Sequence, residues 1–141
     1  IMTSNLGSDM ILEAKDMDEV RAGIDAVLKA SFKPEFLNRI DETVVFERLG
    51  KERILAIVDI QLGLLAARLA SRKVGLEVSP EAKAFLAEAG YDPSYGARPL
   101  KRAIQGLVQN PLAAEMLAGR IAEGDRVRVV LAKGQLSFAK A

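Results

Sequence analysis

The chain has 141 residues, half of them hydrophobic, and it contains no histidine, cysteine or tryptophan. This composition excludes a serine–histidine–aspartate site, thiolate catalysis, disulfides and zinc bound by thiolates. The net charge of +1 provides no field that attracts nucleic acid or an anionic membrane, and the apolar runs fall short of the roughly 18–20 residues that span a bilayer. We therefore expect a cytoplasmic protein that has no metal site and neither nucleic acid nor a membrane as a partner.

The first third of the sequence predicts a strand end, two helices and a short strand. Residues 1–5 are typical of the tail of a strand, so we expect the chain to begin inside a domain. A helix is predicted from its acidic start and its apolar face. The acidic residues are Asp16, Asp18 and Glu19, and the apolar residues at helical spacing are Val20, Ile24, Val27 and Leu28. Pro34 suits the first position of a short helix, and residues 43–46, β-branched and aromatic, predict a short strand.

The middle of the sequence predicts a long amphipathic helix from about Lys51 to Lys73. Its apolar stripe consists of Ile54, Ile57, Val58, Leu62, Leu65 and Leu69, with Ile60 and Leu64 to one side. A short strand at 76–78 follows, and Ser79 with Pro80 then caps a third helix. The residues that this helix is expected to bury are Ala82, Phe85, Leu86 and Ala89.

The last third predicts two helical segments and a hairpin. A turn-rich connector at 91–96 leads to a helix with one apolar side, formed by Leu100, Ile104, Leu107 and Val108. Pro111 is expected to interrupt or kink this helix, and Gly119 to end the last helical segment after Leu117. Alternating residues at 125–131, a Lys133-Gly134 turn and residues 135–138 predict a C-terminal hairpin. The predicted fold class is α+β, with several helices packed on a small β-sheet.

Arg98 is a candidate phosphate-binding residue because it is placed where a helix opens. Unpaired backbone N–H groups and the helix dipole attract anions at that end, and a guanidinium strengthens the site for phosphate. A cation alone is electrostatically misplaced there. Arg98 is therefore interpreted either as a phosphate ligand or as a solvated arginine ahead of a helix-starting proline.

Arg39 and Asn5 are weaker candidates. Arg39 ends a short helix, where it either forms a local salt bridge with Asp41 or Glu42 or serves the phosphate of a neighbouring subunit. Asn5 either orients a water through its carboxamide or is a turn residue. The sequence has no G-x-x-x-x-G-K-S/T loop to hold phosphates.

Three segments in order resemble a known family: MTSNLG at 2–7, KPEFLNRIDE at 33–42 and GYDPSYGARPLKR at 90–102. They closely resemble the C-terminal part of the second ATPase module of ClpB-type AAA+ chaperones, over essentially the whole chain. The resemblance implies that residues 1–42 end a large ATPase subdomain and residues 43–141 form the small lid subdomain. It matches Asn5 to sensor 1, Arg39 to the arginine finger, and Arg98 to sensor 2. By the same analogy, Ile57 lines the adenine pocket.

The function that the resemblance implies is that of a fragment of an ATP-driven, heat-shock protein disaggregase. The intact protein would use ATP with Mg²⁺, form a homo-oligomeric ring, expected to be a hexamer, and act on unfolded or aggregated proteins, with other chaperones as possible partners. The fragment alone would bind no nucleotide tightly and hydrolyse none. One alternative is a protease-partnered Clp unfoldase. Another is a free-standing interaction or nucleic-acid-binding module that uses Lys101, Arg102, Arg126 and Arg128.

Overall fold

The structure is a computed structural model that describes residues 1–13, 17–46, 49–92 and 95–140. The chain divides into two units, Ile1–Arg48 and Leu49–Ala141. This division falls a few residues after the predicted boundary between residues 42 and 43. Asp16, predicted to lie at a helix start, lies outside the described residues.

Within residues 1–13 and 17–46, the first unit has three helices, α1 (Ser8–Glu13), α2 (Met17–Ser31) and α3 (Pro34–Leu37). Helix α2 buries Val20 and Ile24, which confirms the predicted apolar face. Pro34 occupies the first turn of α3, as predicted. The rings of Phe32 and Phe36 lie 5.0 Å apart, so an aromatic contact ties α3 to the end of α2.

The two strands predicted in this unit are wrong. Residues 1–5 and 43–46 form no strand, and the side chains of Val44 and Phe46 are 61% and 81% exposed. A β-branched or aromatic segment becomes a strand only when it pairs with another strand and packs one face. Among the described residues, neither segment has such a partner.

In residues 49–92 and 95–140, the second unit has four α-helices and a three-stranded sheet. The helices are α4 (Lys51–Ala70), α5 (Pro80–Ala89), α6 (Leu100–Ile104) and α7 (Asn110–Leu117), and a π-helical turn, Gln105–Gln109, joins α6 to α7. The strands are β1 (Gly75–Val78), β2 (Arg126–Ala132) and β3 (Gln135–Lys140). Strand β2 lies in the centre, parallel to β1 and antiparallel to β3. The fold is therefore α+β, as predicted.

The sheet and helices enclose one apolar core. Strand β2 contributes Val127 and Val129, which pair with Leu76 of β1 and Phe138 of β3. From α4 the core takes five of the six predicted stripe residues, Ile54, Val58, Leu62, Leu65 and Leu69, while Ile57 is half-buried against it. The predicted stripe is thus confirmed, and Ile60 and Leu64 lie to one side of it in solvent.

Two predicted core residues are exposed. Ala89 faces solvent because the end of α5 turns its buried side toward α6, where Gly90 meets Leu100, and Ala87 is buried instead. Leu107 is 38% exposed because it lies in the π-helical turn. The wider turn keeps Ile104 and Val108 on the buried side and moves Leu107 away from it.

In the C-terminal half of this unit, Pro111 alters a helix and Gly134 helps to form a hairpin turn. Pro111 lacks an N–H and would clash with the carbonyl four residues before it. The helix accommodates it through the preceding π-helical turn, in which the N–H of Asn110 donates to the carbonyl of Gln105, so the predicted interruption is confirmed. The Lys133-Gly134 hairpin turn has positive φ at both residues (51° and 77°), the geometry of a type I′ turn.

Candidate functional site

The candidate site is the Arg98 loop, which we define as residues 90–100 between α5 and α6, of which 93 and 94 lie outside the described residues. Asp92 and Gly96 exchange two backbone hydrogen bonds: the N–H of Asp92 donates to the Gly96 carbonyl (3.0 Å), and the N–H of Gly96 donates to the Asp92 carbonyl (2.6 Å). Gly96 has φ of +62°, a conformation that favours glycine. The carboxylate of Asp92 also accepts from the backbone N–H of Tyr95 (2.9 Å). The loop is therefore closed by its own hydrogen bonds.

Arg98 lies in the turn just before α6 rather than at its first helical residue. Its backbone N–H donates to the carbonyl of Tyr95 (3.3 Å), and the helix begins at Leu100 with Pro99 as its N-cap. The prediction that Arg98 opens the helix is thus corrected by two positions, because the turn through Ala97 precedes the first helical bond. Arg98 nonetheless lies directly before the N-cap residue of α6, where the N–H of Leu100 donates to the carbonyl of Ala97 (3.1 Å).

The loop is anchored where its two ends meet. Leu100 is only 1% exposed, and a Cβ atom placed on Gly90 would come within 2.7 Å of the Cα atom of Leu100. No side chain larger than hydrogen fits at residue 90 without moving the start of α6. The end of α5 and the start of α6 therefore fix the two stems of the loop.

The charge of Arg98 is not neutralised within the described part of the chain. Its side chain is exposed and makes no ion pair or hydrogen bond with any residue in the described ranges. Lys101 and Arg102, also exposed, follow it on α6. A guanidinium that is solvated and unpaired offers five N–H donors to an incoming phosphate.

Arg39 has a similar environment in the first unit. It follows α3, and its backbone N–H donates to the carbonyl of Phe36 (3.0 Å). The side chain is exposed, and within residues 1–13 and 17–46 it forms no ion pair with Asp41 or Glu42. The local salt bridge, one of the two interpretations of Arg39, is therefore wrong for this structure.

Asn5 and Ile57 have contrasting surroundings. Asn5 is exposed in an irregular segment, where its carbonyl accepts from the N–H of Ser8 (3.2 Å), so the strand end expected around it is absent. Ile57 lies on α4, half-buried against the core. Neither observation tests the role that the resemblance gives these two residues.

Several other cations have carboxylate partners. Arg120 forms a two-pronged contact with Glu115 (2.5 and 2.8 Å), which lowers the pKa of that carboxyl and raises the pKa of the guanidinium. Arg128 contacts Glu77 at 3.1 Å across β1 and β2. Arg128 belongs to the set proposed for nucleic acid, so part of that surface is already neutralised.

The described residues contain no group of three or more histidine, cysteine, aspartate or glutamate side chains arranged to hold a metal ion. Within the same ranges, no helix combines the length and apolarity needed to cross a membrane.

Sequence reasoning did not identify Gly90 and Asp92 as parts of this site. Asp92 is recognisable in hindsight because an Asx side chain commonly accepts a backbone N–H in a turn. The role of Gly90 could not be found in the sequence, since a close approach to Leu100 depends on how two helices pack.

An α+β unit in which helices pack on a small three-stranded mixed sheet is consistent with the small subdomain of an AAA+ ATPase module. A family model described as the C-terminal D2-small domain of ClpB protein matches residues 49–129, more than half of the chain. The chain belongs to the ClpB family, as the sequence motifs predicted.

Individual relatives extend the similarity beyond the matched domain. Chaperone protein ClpB of Rhizobium meliloti (strain 1021) is 49% identical over 143 residues, which cover 99% of this chain and 16% of the relative. Chaperone protein ClpB of Pseudomonas putida is 50% identical over 139 residues, with 98% and 16% covered. That of Streptomyces albus G is 47% identical over 129 residues, with 92% and 15% covered. The chain thus spans about one sixth of the length of these relatives.

Proposed function

We propose that this segment is the nucleotide-sensing lid of the second ATPase module in an ATP-driven, protein-disaggregating ClpB chaperone. The observation that carries the proposal is the guanidinium of Arg98, which is exposed and has no partner among the described residues, just before the start of α6. The similarity to proteins named as ClpB chaperones supports the same function. It favours neither a protease-partnered unfoldase nor a nucleic-acid-binding module.

In this function Arg98 binds the γ-phosphate of ATP from the lid side. A guanidinium pairs with phosphate through two parallel N–H···O bonds, so binding restrains the lid whenever the γ-phosphate is present. Loss of that phosphate releases the restraint, and the lid moves. Ile57 contributes apolar contact for the adenine ring.

The first unit supplies residues that act during hydrolysis. Arg39 stabilises the charge that develops on the phosphoryl group of a neighbouring subunit, as arginine fingers do. Asn5 orients the attacking water. The protein works as a homo-oligomeric ring, a hexamer, on unfolded or aggregated proteins in the cytoplasm under heat stress.

ATP and Mg²⁺ are the substrate and metal of this reaction, and the chain fits them only in part. Arg98 and Arg39 are exposed cations with no carboxylate partner among the described residues, which suits them to phosphate oxygens. The sequence has no phosphate-holding loop, and the described residues provide no carboxylate cluster for Mg²⁺. The chain spans about one sixth of the length of its ClpB relatives, and the proposed function assigns the phosphate-binding loop and the Mg²⁺ ligands to the rest of such a protein.

The test is Arg98→Ala in a full-length ClpB protein that carries this segment and has its first ATPase module disabled. We expect ATP binding at the second module to weaken about 10- to 100-fold, since a charged hydrogen bond is worth about 1.5–3 kcal/mol. Lys101→Ala removes a neighbouring exposed cation and should leave affinity within about twofold. Equal effects of the two variants, or a large fall in melting temperature with normal ATP binding, would show that Arg98 is not a sensor.

A further inference from the structure

Asp92 joins the two arms of the Arg98 loop. Its carboxylate accepts from the N–H of Tyr95 (2.9 Å), and its backbone exchanges two hydrogen bonds with Gly96. Residues on the far arm of the loop are thus tied to a single residue on the near arm. The near arm is itself fixed, because Gly90 packs directly on Leu100.

Two successive hydrogen bonds connect Asp92 to Arg98 through the backbone of Tyr95. The N–H of Tyr95 donates to the Asp92 carboxylate, and the carbonyl of Tyr95 accepts from the N–H of Arg98 (3.3 Å). No helical hydrogen bond holds the backbone of Arg98, since α6 begins two residues later. The carbonyl of Tyr95 therefore restrains the backbone from which the Arg98 side chain leaves.

We propose that Asp92 is a positioning residue that orients Arg98 toward phosphate. The inference rests on the proposed function, in which Arg98 binds the nucleotide. A two-pronged contact between guanidinium and phosphate demands a defined approach. A backbone already restrained at Tyr95 and Gly96 lowers the entropy that binding must remove. The Asp92 carboxylate supplies that order without touching the ligand.

The proposal predicts which property of Asp92 matters. Asparagine keeps an oxygen that accepts the N–H of Tyr95, whereas alanine removes it. If the negative charge of Asp92 were the property that matters, its removal would strengthen phosphate binding by Arg98, whereas loss of the hydrogen bond should weaken it. Asp92→Asn therefore separates the effect of the hydrogen bond from the effect of the charge.

The experiment is a double-mutant cycle in the same full-length protein with its first module disabled. A fluorescent ATP analogue is titrated into Asp92→Ala, Asp92→Asn, Arg98→Ala and the double variant Asp92→Ala with Arg98→Ala. We expect Asp92→Ala to weaken binding about three- to tenfold, the size of one hydrogen bond, and Asp92→Asn to stay within about twofold. In the Arg98→Ala background, Asp92→Ala should have no further effect.

Glu88→Ala is the matched control, because Glu88 is an exposed carboxylate at the end of α5 with no side-chain hydrogen bond among the described residues. It should leave affinity unchanged in both backgrounds. Thermal unfolding of the 141-residue chain reports on the fold of each variant.

The outcomes separate this inference from the function on which it rests. An equal loss from Asp92→Ala with and without Arg98 would show that Asp92 acts independently, and the inference would fail while the role of Arg98 stands. Tighter binding by Asp92→Asn would also overturn it, since charge would then be the property that matters. Normal binding by Arg98→Ala would remove the proposed function, and the positioning role with it.

Discussion

Single cations in this chain differ in whether a carboxylate neutralises them. Arg120 and Arg128 lie in ion pairs with Glu115 and Glu77, on the surface of the second unit. Arg98 has no such partner within the described residues, although it is just as exposed. Surface ion pairs contribute only about 0–1 kcal/mol, so leaving Arg98 unpaired costs the fold little and keeps its donors available.

Gly90 is the residue on which the geometry of the Arg98 loop depends most directly, and Gly90→Ala tests it. The added methyl group would contact the backbone of Leu100, so the start of α6 must shift. We expect the free energy of unfolding of the 141-residue chain to fall by about 1–3 kcal/mol, as measured by urea denaturation.

Gly63→Ala is the matched control for Gly90→Ala. Gly63 lies in α4, and a Cβ atom there meets nothing within 4 Å. This substitution should stabilise the chain by about 0.5–1 kcal/mol, because alanine is the better helix former. If Gly90→Ala is as stable as the unaltered chain, the close approach to Leu100 does not constrain the loop.

The elements show which parts of the fold the sequence predicts. The stripe on α4 follows from its helical spacing. The Ser79 cap follows because the Ser79 side chain accepts a backbone N–H of the first turn of α5. The Lys133-Gly134 turn follows because these two residues adopt the positive φ that a two-residue hairpin turn requires. Each of these depends on residues close in sequence.

Features that depend on distant partners could not be predicted in the same way. The segments at 1–5 and 43–46 have the composition of strands but no strand to pair with among the described residues. The exposure of Ala89 and the contact of Gly90 with Leu100 depend on how α5 and α6 pack. The candidate arginines were identified from motifs, whereas the loop that orients Arg98 was not.

The end of the sheet provides a test of pH dependence. The carboxylate of Asp125 accepts from the N–H of Ala122 (2.8 Å) and pairs with Lys140 (2.7 Å), and these contacts hold the pKa of that carboxyl below its usual range. A carboxyl with a lowered folded-state pKa stabilises the fold at pH values above its unfolded pKa of about 4. That contribution disappears as the pH falls through the folded-state pKa.

We therefore expect Asp125→Asn to lower the free energy of unfolding at pH 7. Between about pH 5 and pH 2, the free energy of unfolding of this variant should fall less than that of the unaltered chain. Urea denaturation across this range measures both effects. Glu88→Gln should keep the full pH dependence of the unaltered chain, because Glu88 makes no side-chain hydrogen bond among the described residues. Parallel curves for Asp125→Asn and the unaltered chain would contradict the linkage of Asp125 to β3.

At the scale of the whole molecule, the two candidate arginines lie in different units of the chain, Arg39 in Ile1–Arg48 and Arg98 in Leu49–Ala141. In the proposed function they also serve different nucleotides, since Arg98 reads the ATP of its own subunit and Arg39 acts on that of a neighbour. A ring then couples its subunits because each site is completed by the next chain. Rings that mix Arg39→Ala subunits with subunits whose own pocket is disabled separate this arrangement from a role of Arg39 within its own subunit.

In a full-length ClpB protein that carries this segment, Arg39→Ala should lower hydrolysis by the second module by about 10³–10⁵-fold while the module still binds ATP. Loss of an exposed ion pair would instead change the free energy of unfolding by about 1 kcal/mol or less. Arg39→Ala subunits are then mixed with subunits that keep Arg39 but have a disabled phosphate-binding loop. Wherever an intact Arg39 faces the working pocket of an Arg39→Ala neighbour, hydrolysis should return. If verified mixed rings remain inactive, Arg39 does not act on the neighbouring subunit.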